Sequence, residues 1–341
     1  MPSTPSRFLK ITLYFLLFLL LVLPVLYFIF LAPQIRQAQT RQAAQVSSAI
    51  ESLDIFLDLS QTTFALLGDQ LSDSPVPLNP GYIQDKLDKF ISTWRNTALV
   101  EAVFVDNKGR LLVVSNDPEY RSLPSIDVSD REYFIWSQTA RPGEIYLGLP
   151  ILTRAGAFRG QYIVPVATPI FRNGQFVGTL GMAISVNNLA KSFLDPFKLT
   201  DSSRIYLIDT RGVLLYSPFP ELQGIDYLEY LDEHPFPGSQ FVRKELEKRA
   251  QSLESGTLQV ILPNAETKFL SLMIIAHQPI VSESGHWLLA MATPLGPTLK
   301  LTAFPYIKQL LAVLILIFTF LLFHHFSAPK RKKGRKGARN N

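Results

Sequence analysis

The chain has 341 residues, 47% of them hydrophobic, with no cysteine and a formal charge of +5. Without cysteine there are no disulfides, thiolate nucleophiles, zinc–thiolate centres or iron–sulfur clusters, and the length allows about two domains. The charge excludes less than it seems to: Arg7, Lys10, Lys308 and seven bases in the last fifteen residues carry +10, whereas residues 33–304 net −5.

Residues 11–32 contain no charge and are mostly Leu, Phe and Val. A bilayer core needs about 20 such residues as a helix, and Pro24 is tolerated there. A cleaved signal peptide has a shorter apolar region and a small-x-small site, so an uncleaved transmembrane helix is expected. Residues 304–326 form a second apolar run, with Lys308 near its start placed to snorkel to the interface. The flanking bases put residues 1–10 and the tail 327–341 in the cytoplasm by the positive-inside rule, and residues 33–303 outside. The tail then reads as a topology signal with some attraction to anionic lipid, and no nucleic-acid partner is expected.

Outside the membrane, residues 34–71 lack turn signals. Val46, Ala49, Ile50, Leu53, Phe56, Leu57, Phe64, Leu67 and Leu71 fall at helical spacing. Such a helix reaches about 55 Å. Its stripe is expected to pack on its own domain and also on the same helix of a homodimer partner. A break at 75–80 precedes a second helix carrying Tyr82, Ile83, Leu87, Phe90, Ile91 and Trp94. Residues 100–105 and 110–115 then read as a hairpin around Asp106-Asn107-Lys108-Gly109.

That hairpin recurs 103 residues later, where Arg204 to Leu215 aligns without gaps on Glu101 to Leu112. A second echo matches Pro169-Ile170 with Pro279-Ile280. Two echoes in one order predict two copies of an α/β module. In the first copy, 129–136 reads as a short helix capped by Ser129 or Asp130, and 145–151, 162–171 and 175–186 as strands. A helix over 187–194 leads to the second copy. There 229–253 reads as mainly polar and helical, and 257–262, 268–277 and 287–293 as strands. Antiparallel strands with helices on one face give an α+β fold.

The segments Asp130-Arg131-Glu132-Tyr133-Phe134, Tyr146 to Pro150, Ala167-Thr168-Pro169-Ile170 and Gly174 to Gly181 occur in the order D-R-x-Y-F, Y-x-G-x-P, A-x-P-I and G-x-x-x-G. As a set they resemble the double Cache sensor domain, the extracytoplasmic PAS-like module of bacterial chemoreceptors and sensor histidine kinases. The resemblance implies two tandem modules on the long helix. Residues 34–98 are the helices, 99–196 the membrane-distal module and 197–303 the membrane-proximal one, within a two-pass bacterial inner-membrane protein whose main domain is periplasmic.

The resemblance also implies a small-molecule ligand in the distal module, between the sheet and the D-R-x-Y-F helix. Arg131 offers a planar fork for a carboxylate, and Tyr133 and Trp136 offer apolar walls. Tyr146 and Thr168 add hydroxyls from facing strands. Each has a structural alternative: Arg131 can tie the helix to a loop, and Trp136 can be packing. Amino-acid-binding members place an Asp where this chain has Ala183, so amino-acid recognition in the usual form is not expected; carboxylates, or another small polar or partly apolar ligand, remain open. Arg141 and residues 154–159 add positive charge nearby.

No H-E-x-x-H, G-x-S-x-G, G-x-x-x-x-G-K-[ST] or G-x-G-x-x-G occurs, and the five histidines show no metal spacing. Neither an enzyme nor a cofactor is expected. After the second span only the basic tail follows, so output is expected through a separate signalling protein. The rival expectation is a scaffold whose outer domain docks another extracytoplasmic protein and senses nothing.

Overall fold

The computed structural model describes residues 27–115, 126–154, 156–263, 270–282 and 284–296, with scattered residues between 16 and 24 and between 308 and 323. They fall into two units, residues 1–36 with 297–341, and residues 37–296. In the first unit the described parts of both apolar runs are helical, and the Phe18 and Phe318 rings lie 4.9 Å apart. The helix from Leu16 to Asp73 has an apolar part long enough to cross a membrane; the second helical stretch, Leu311–Phe320, is shorter. The predicted cytoplasmic ends, 1–10 and 327–341, lie outside the described residues.

Helix α1 (Ala32–Asp73) follows a π-helical turn at Tyr27–Leu31. No glycine or proline falls between Pro33 and Gly68, so nothing interrupts its backbone hydrogen bonds over about 60 Å. All nine apolar residues of the predicted stripe are buried. Helix α2 (Pro80–Thr93) starts with proline in its first turn, and the Asn79 side chain accepts from the Tyr82 N–H at 2.9 Å. Its Ile83, Leu87, Phe90 and Ile91 join the α1 stripe in one core.

Two antiparallel sheets follow. The distal sheet has β1 (Leu99–Asp106), β2 (Leu111–Val114), β3 (Tyr146–Leu147), β4 (Ile151–Leu152), β5 (Tyr162–Arg172) and β6 (Gln175–Ser185). Its order is β2-β1-β6-β5-β3, with β4 also on β5. The proximal sheet has β7 (Arg204–Asp209), β8 (Leu214–Tyr216), β9 (Gly256–Pro263), β10 (Leu270–Ser282) and β11 (Gly285–Pro294), in the order β8-β7-β11-β10-β9. The order repeats, as the sequence echoes predict, and the fold is α+β. Helix α1 packs on both sheets: the Gln42 amide donates to the Ile274 and Met291 carbonyls, and Gly68 faces Thr168 and Ile170.

The echoed hairpins share one mechanism. The Asp106 carboxylate accepts from the Lys108 and Arg110 N–H groups, and the Asp209 carboxylate from those of Arg211 and Val213, all at 2.9 Å. Gly109 and Gly212 close the turns at φ +83° and +95°, values that side chains with a Cβ adopt at a cost.

Three expectations change. The strand over 145–151 is two short pieces, because Pro150 has no N–H to give a ladder and Gly148 donates instead to the Pro165 carbonyl at 2.9 Å. The helix over 229–253 is two, α5 (Tyr227–Glu233) and α6 (Ser239–Ala250); α4 is the short Val186–Leu189 helix between the modules. Pro235, Pro237 and Gly238 separate α5 from α6, and the Asp226 side chain caps α5 by accepting from the Leu228 and Glu229 N–H groups. The helix expected over 129–136 is α3 (Glu132–Ser137), whose N-cap residue is Arg131; neither Ser129 nor Asp130 caps it.

Candidate functional site

Alternation along the strands gives the distal sheet two faces. Val164, Val166, Ile170, Leu180 and Ile184 pack on the α1 side. The opposite face carries Val103, Leu111, Val128 and Tyr133, with Phe134 buried among them. On that face lies a cavity roofed by α3, β4 and the segment after it. Its space for the centre of a water molecule is about 60 Å³. Hydrophobic residues form most of the wall; Glu101, Arg131, Tyr133, Thr153 and Arg154 supply the polar part.

Arg131 lines the cavity and donates through Nη2 to the Leu152 carbonyl at 2.9 Å. It therefore ties the start of α3 to β4 while keeping part of its fork for another acceptor. Burial, with the Arg154 charge second, holds its guanidinium below the ordinary arginine range. Asp130 takes a bidentate pair from Arg154, at 2.6 and 2.7 Å, which fixes Arg154 beside Arg131. Tyr133 also lines the cavity, and burial pushes its phenol up to about 12, so it stays a neutral hydroxyl.

The other three predicted residues stand elsewhere. The Trp136 and Tyr146 rings pair at 5.4 Å, and the Tyr146 hydroxyl donates to Glu132 Oε2 at 3.1 Å. They join α3 to β3 and are not on the wall of the cavity. Thr168 faces α1: its hydroxyl donates to the Glu144 carbonyl at 3.0 Å, and its methyl lies against Gly68. So the structure brings Arg131 and Tyr133 together and leaves Trp136, Tyr146 and Thr168 outside this cavity.

Residues 30–299 match the family model described as the Cache domain. The chain belongs to the Cache domain family. Among solved structures, a domain from a Vibrio parahaemolyticus protein assigned to the sensory box/GGDEF family is 18% identical, with a TM-score of 0.56 over 78% of this chain and 99% of that one. The ligand-binding domain of the Pseudomonas aeruginosa amino acid chemoreceptor PctC, solved with GABA, is 15% identical, with a TM-score of 0.52 over 75% and 100%. That of the Campylobacter jejuni chemoreceptor Tlp3, solved with L-norvaline, is 12% identical, with a TM-score of 0.53 over 79% and 95%. No curated protein matches this chain.

In this Cache domain the residue that sequence reasoning passed over is Glu101. It is 4% exposed, lines the cavity, and pairs across the sheet with Ala183 on β6. Its carboxyl side chain thus lies on the strand beside position 183. The available signal was a lone acid inside the apolar run 99–105. Gly156, at φ +69°, makes room for it, since a Cβ there would collide with the Glu101 carboxylate. Among the described residues no group of three or more His, Cys, Asp or Glu side chains is placed to hold a metal ion.

Proposed function

We propose that this Cache domain is the extracytoplasmic sensor of a membrane protein, and that its distal cavity binds a small organic molecule with an anionic end and a hydrogen-bond-donating end. The observation that carries this is the presence of a buried carboxyl side chain, Glu101, and the Arg131 fork on the wall of one cavity. Arg131 receives the carboxylate of the ligand, Glu101 its amine or hydroxyl, and Tyr133 the intervening carbons. Trp136, Tyr146 and Thr168 support this wall from behind rather than touching the ligand. Ligands of the ordinary α-amino-acid pattern fit less well, because the acid sits one strand away from the Ala183 position.

In the same proposal the chain spans the inner membrane twice, with both ends cytoplasmic. Two copies associate along α1, and the response passes to a separate signalling protein rather than through chemistry on this chain. Ligand seated under α3 biases the domain between two states only by its difference in affinity for them. Thermal-shift and calorimetric titration of the purified full chain with short carboxylates, hydroxy acids and amino-carboxylates tests the reading. Saturable stabilisation that Arg131→Ala removes is expected. A panel that shifts nothing, with crosslinking that recovers a stable extracytoplasmic protein partner, would favour a docking scaffold instead.

A further inference from the structure

The proximal sheet carries a second cavity on the face that corresponds to the first. Pairing register makes the correspondence concrete. In the distal sheet Val103, Gly181 and Ala167 lie abreast on β1, β6 and β5; in the proximal sheet Tyr206, Ala290 and His277 lie abreast on β7, β11 and β10. One row on, Glu101, Ala183 and Pro165 answer to Arg204, Ala292 and Ile275. The second cavity is the larger, with about 90 Å³ open to water centres, and its roof is α6 rather than a short helix like α3. Its walls are mainly Leu, Ile, Val and Ala; Tyr206, Tyr227, Glu245, Arg249 and His277 supply the polar groups.

Arg249 gives its Nε and Nη2 to the Glu245 carboxylate, at 3.0 and 2.9 Å. Its Nη1 meets His277 Nε2. A guanidinium only donates, so Nε2 accepts, and the single proton of the neutral ring sits on Nδ1. Burial first, and the Arg249 charge second, lower His277 to about 4, which keeps the ring neutral near pH 7. The residue is 2% exposed, yet Nδ1 has no hydrogen-bond partner among the described residues. A buried donor without an acceptor is costly, and a bound acceptor would recover that cost. Because Glu245 answers the charge of Arg249, the walls offer no counter-charge to an ion. An open groove beside the cavity shares Tyr206, Tyr227, Leu262 and Ala292 with it.

We propose that the membrane-proximal module holds a second ligand site, for a small, largely apolar and uncharged molecule with one carbonyl-type oxygen that accepts from His277 Nδ1–H. The site differs in chemistry from the charged distal cavity and does not depend on it.

The test uses the purified full chain and ¹⁹F NMR of two probes matched in shape, 4-fluoroacetophenone and 1-ethyl-4-fluorobenzene. The ketone is expected to bind saturably, and the hydrocarbon about tenfold more weakly for want of the acceptor. His277→Leu should weaken the ketone by about the same factor and leave the hydrocarbon unchanged. Ala290→Phe, which fills the cavity, should abolish both, and Arg131→Ala should change neither, separating this site from the distal one. If His277→Leu does not fold, the ¹⁵N resonance of His277 Nδ1 in the unaltered protein gives the same answer by shifting with the ketone and not with the hydrocarbon. Equal binding of the two probes, binding that survives Ala290→Phe, or no saturable binding of the ketone would overturn the proposal.

Discussion

At the scale of single residues, a few side chains and glycines set both fold and chemistry. Gly109 sits at φ +83°, and a Cβ there would lie 2.5 Å from that of Ser129. Gly160 has a similar φ of +79° but open space around it. Gly109→Ala should therefore cost about 1–3 kcal/mol and Gly160→Ala about 1 kcal/mol, read from urea midpoints at constant slope. His277 gives a pH signature. Folded, it titrates at about 4; unfolded, at its ordinary 6.5. The unfolded chain then binds the extra proton between those values, so this residue's contribution is whole above pH 6.5 and is lost as pH falls towards 4. Arg249 and Glu245 face it and are common to both proteins in the comparison. His277→Gln should therefore be less sensitive to acid than the unaltered chain between pH 6.5 and 4; parallel curves would contradict the assignment.

At the scale of elements, helix α1 was the most legible part of the sequence. Its 3.6-residue period runs without glycine or proline from Gln34 to Leu67, and every apolar residue assigned to its stripe is buried. The strands were legible as strands, but their faces were not. β5 and β6 are buried on both sides, so they read as continuous apolar runs with no alternation to orient them. That is why Thr168, which faces α1, could not be told from its neighbours on the cavity side. Glu101 escaped for the same reason, as one acid within an apolar strand. The breaks at Pro150 and at Pro235 to Gly238 were visible as residues, but 145–151 reads through as an apolar run and 229–253 as a polar, helix-forming one. Helix α1 also exposes Ile55, Leu59 and Leu66 away from its buried stripe. If this is the face of a homodimer, Ile55→Glu with Leu59→Glu should shift the chain to monomer in analytical ultracentrifugation with little change in melting temperature. A monomeric unaltered chain would remove the basis for the prediction.

At the scale of the molecule, two sheets of the same strand order share one long helix that continues the apolar N-terminal segment. The duplication was readable because the Asp-x-x-Gly hairpins keep their chemistry in both copies. The divergence between the copies was not, because it lies in which residues the register sets abreast: Glu101 in one sheet, Arg204 in the other. Glu101 is on the wall of the distal cavity, whereas Arg204 is not on the wall of the proximal one, although both cavities occupy the same place on their sheets. In the proposed function the distal cavity recognises a ligand through Arg131 and Glu101 together. Calorimetric titration of the full chain with a ligand found by thermal shift, repeated on Arg131→Ala, Glu101→Gln and Thr168→Val, tests it most directly. Each of the first two should weaken binding at least tenfold, about 1.4 kcal/mol or more, while Thr168→Val leaves it unchanged. Affinity untouched by Arg131→Ala and Glu101→Gln, or lost in Thr168→Val alone, would contradict it.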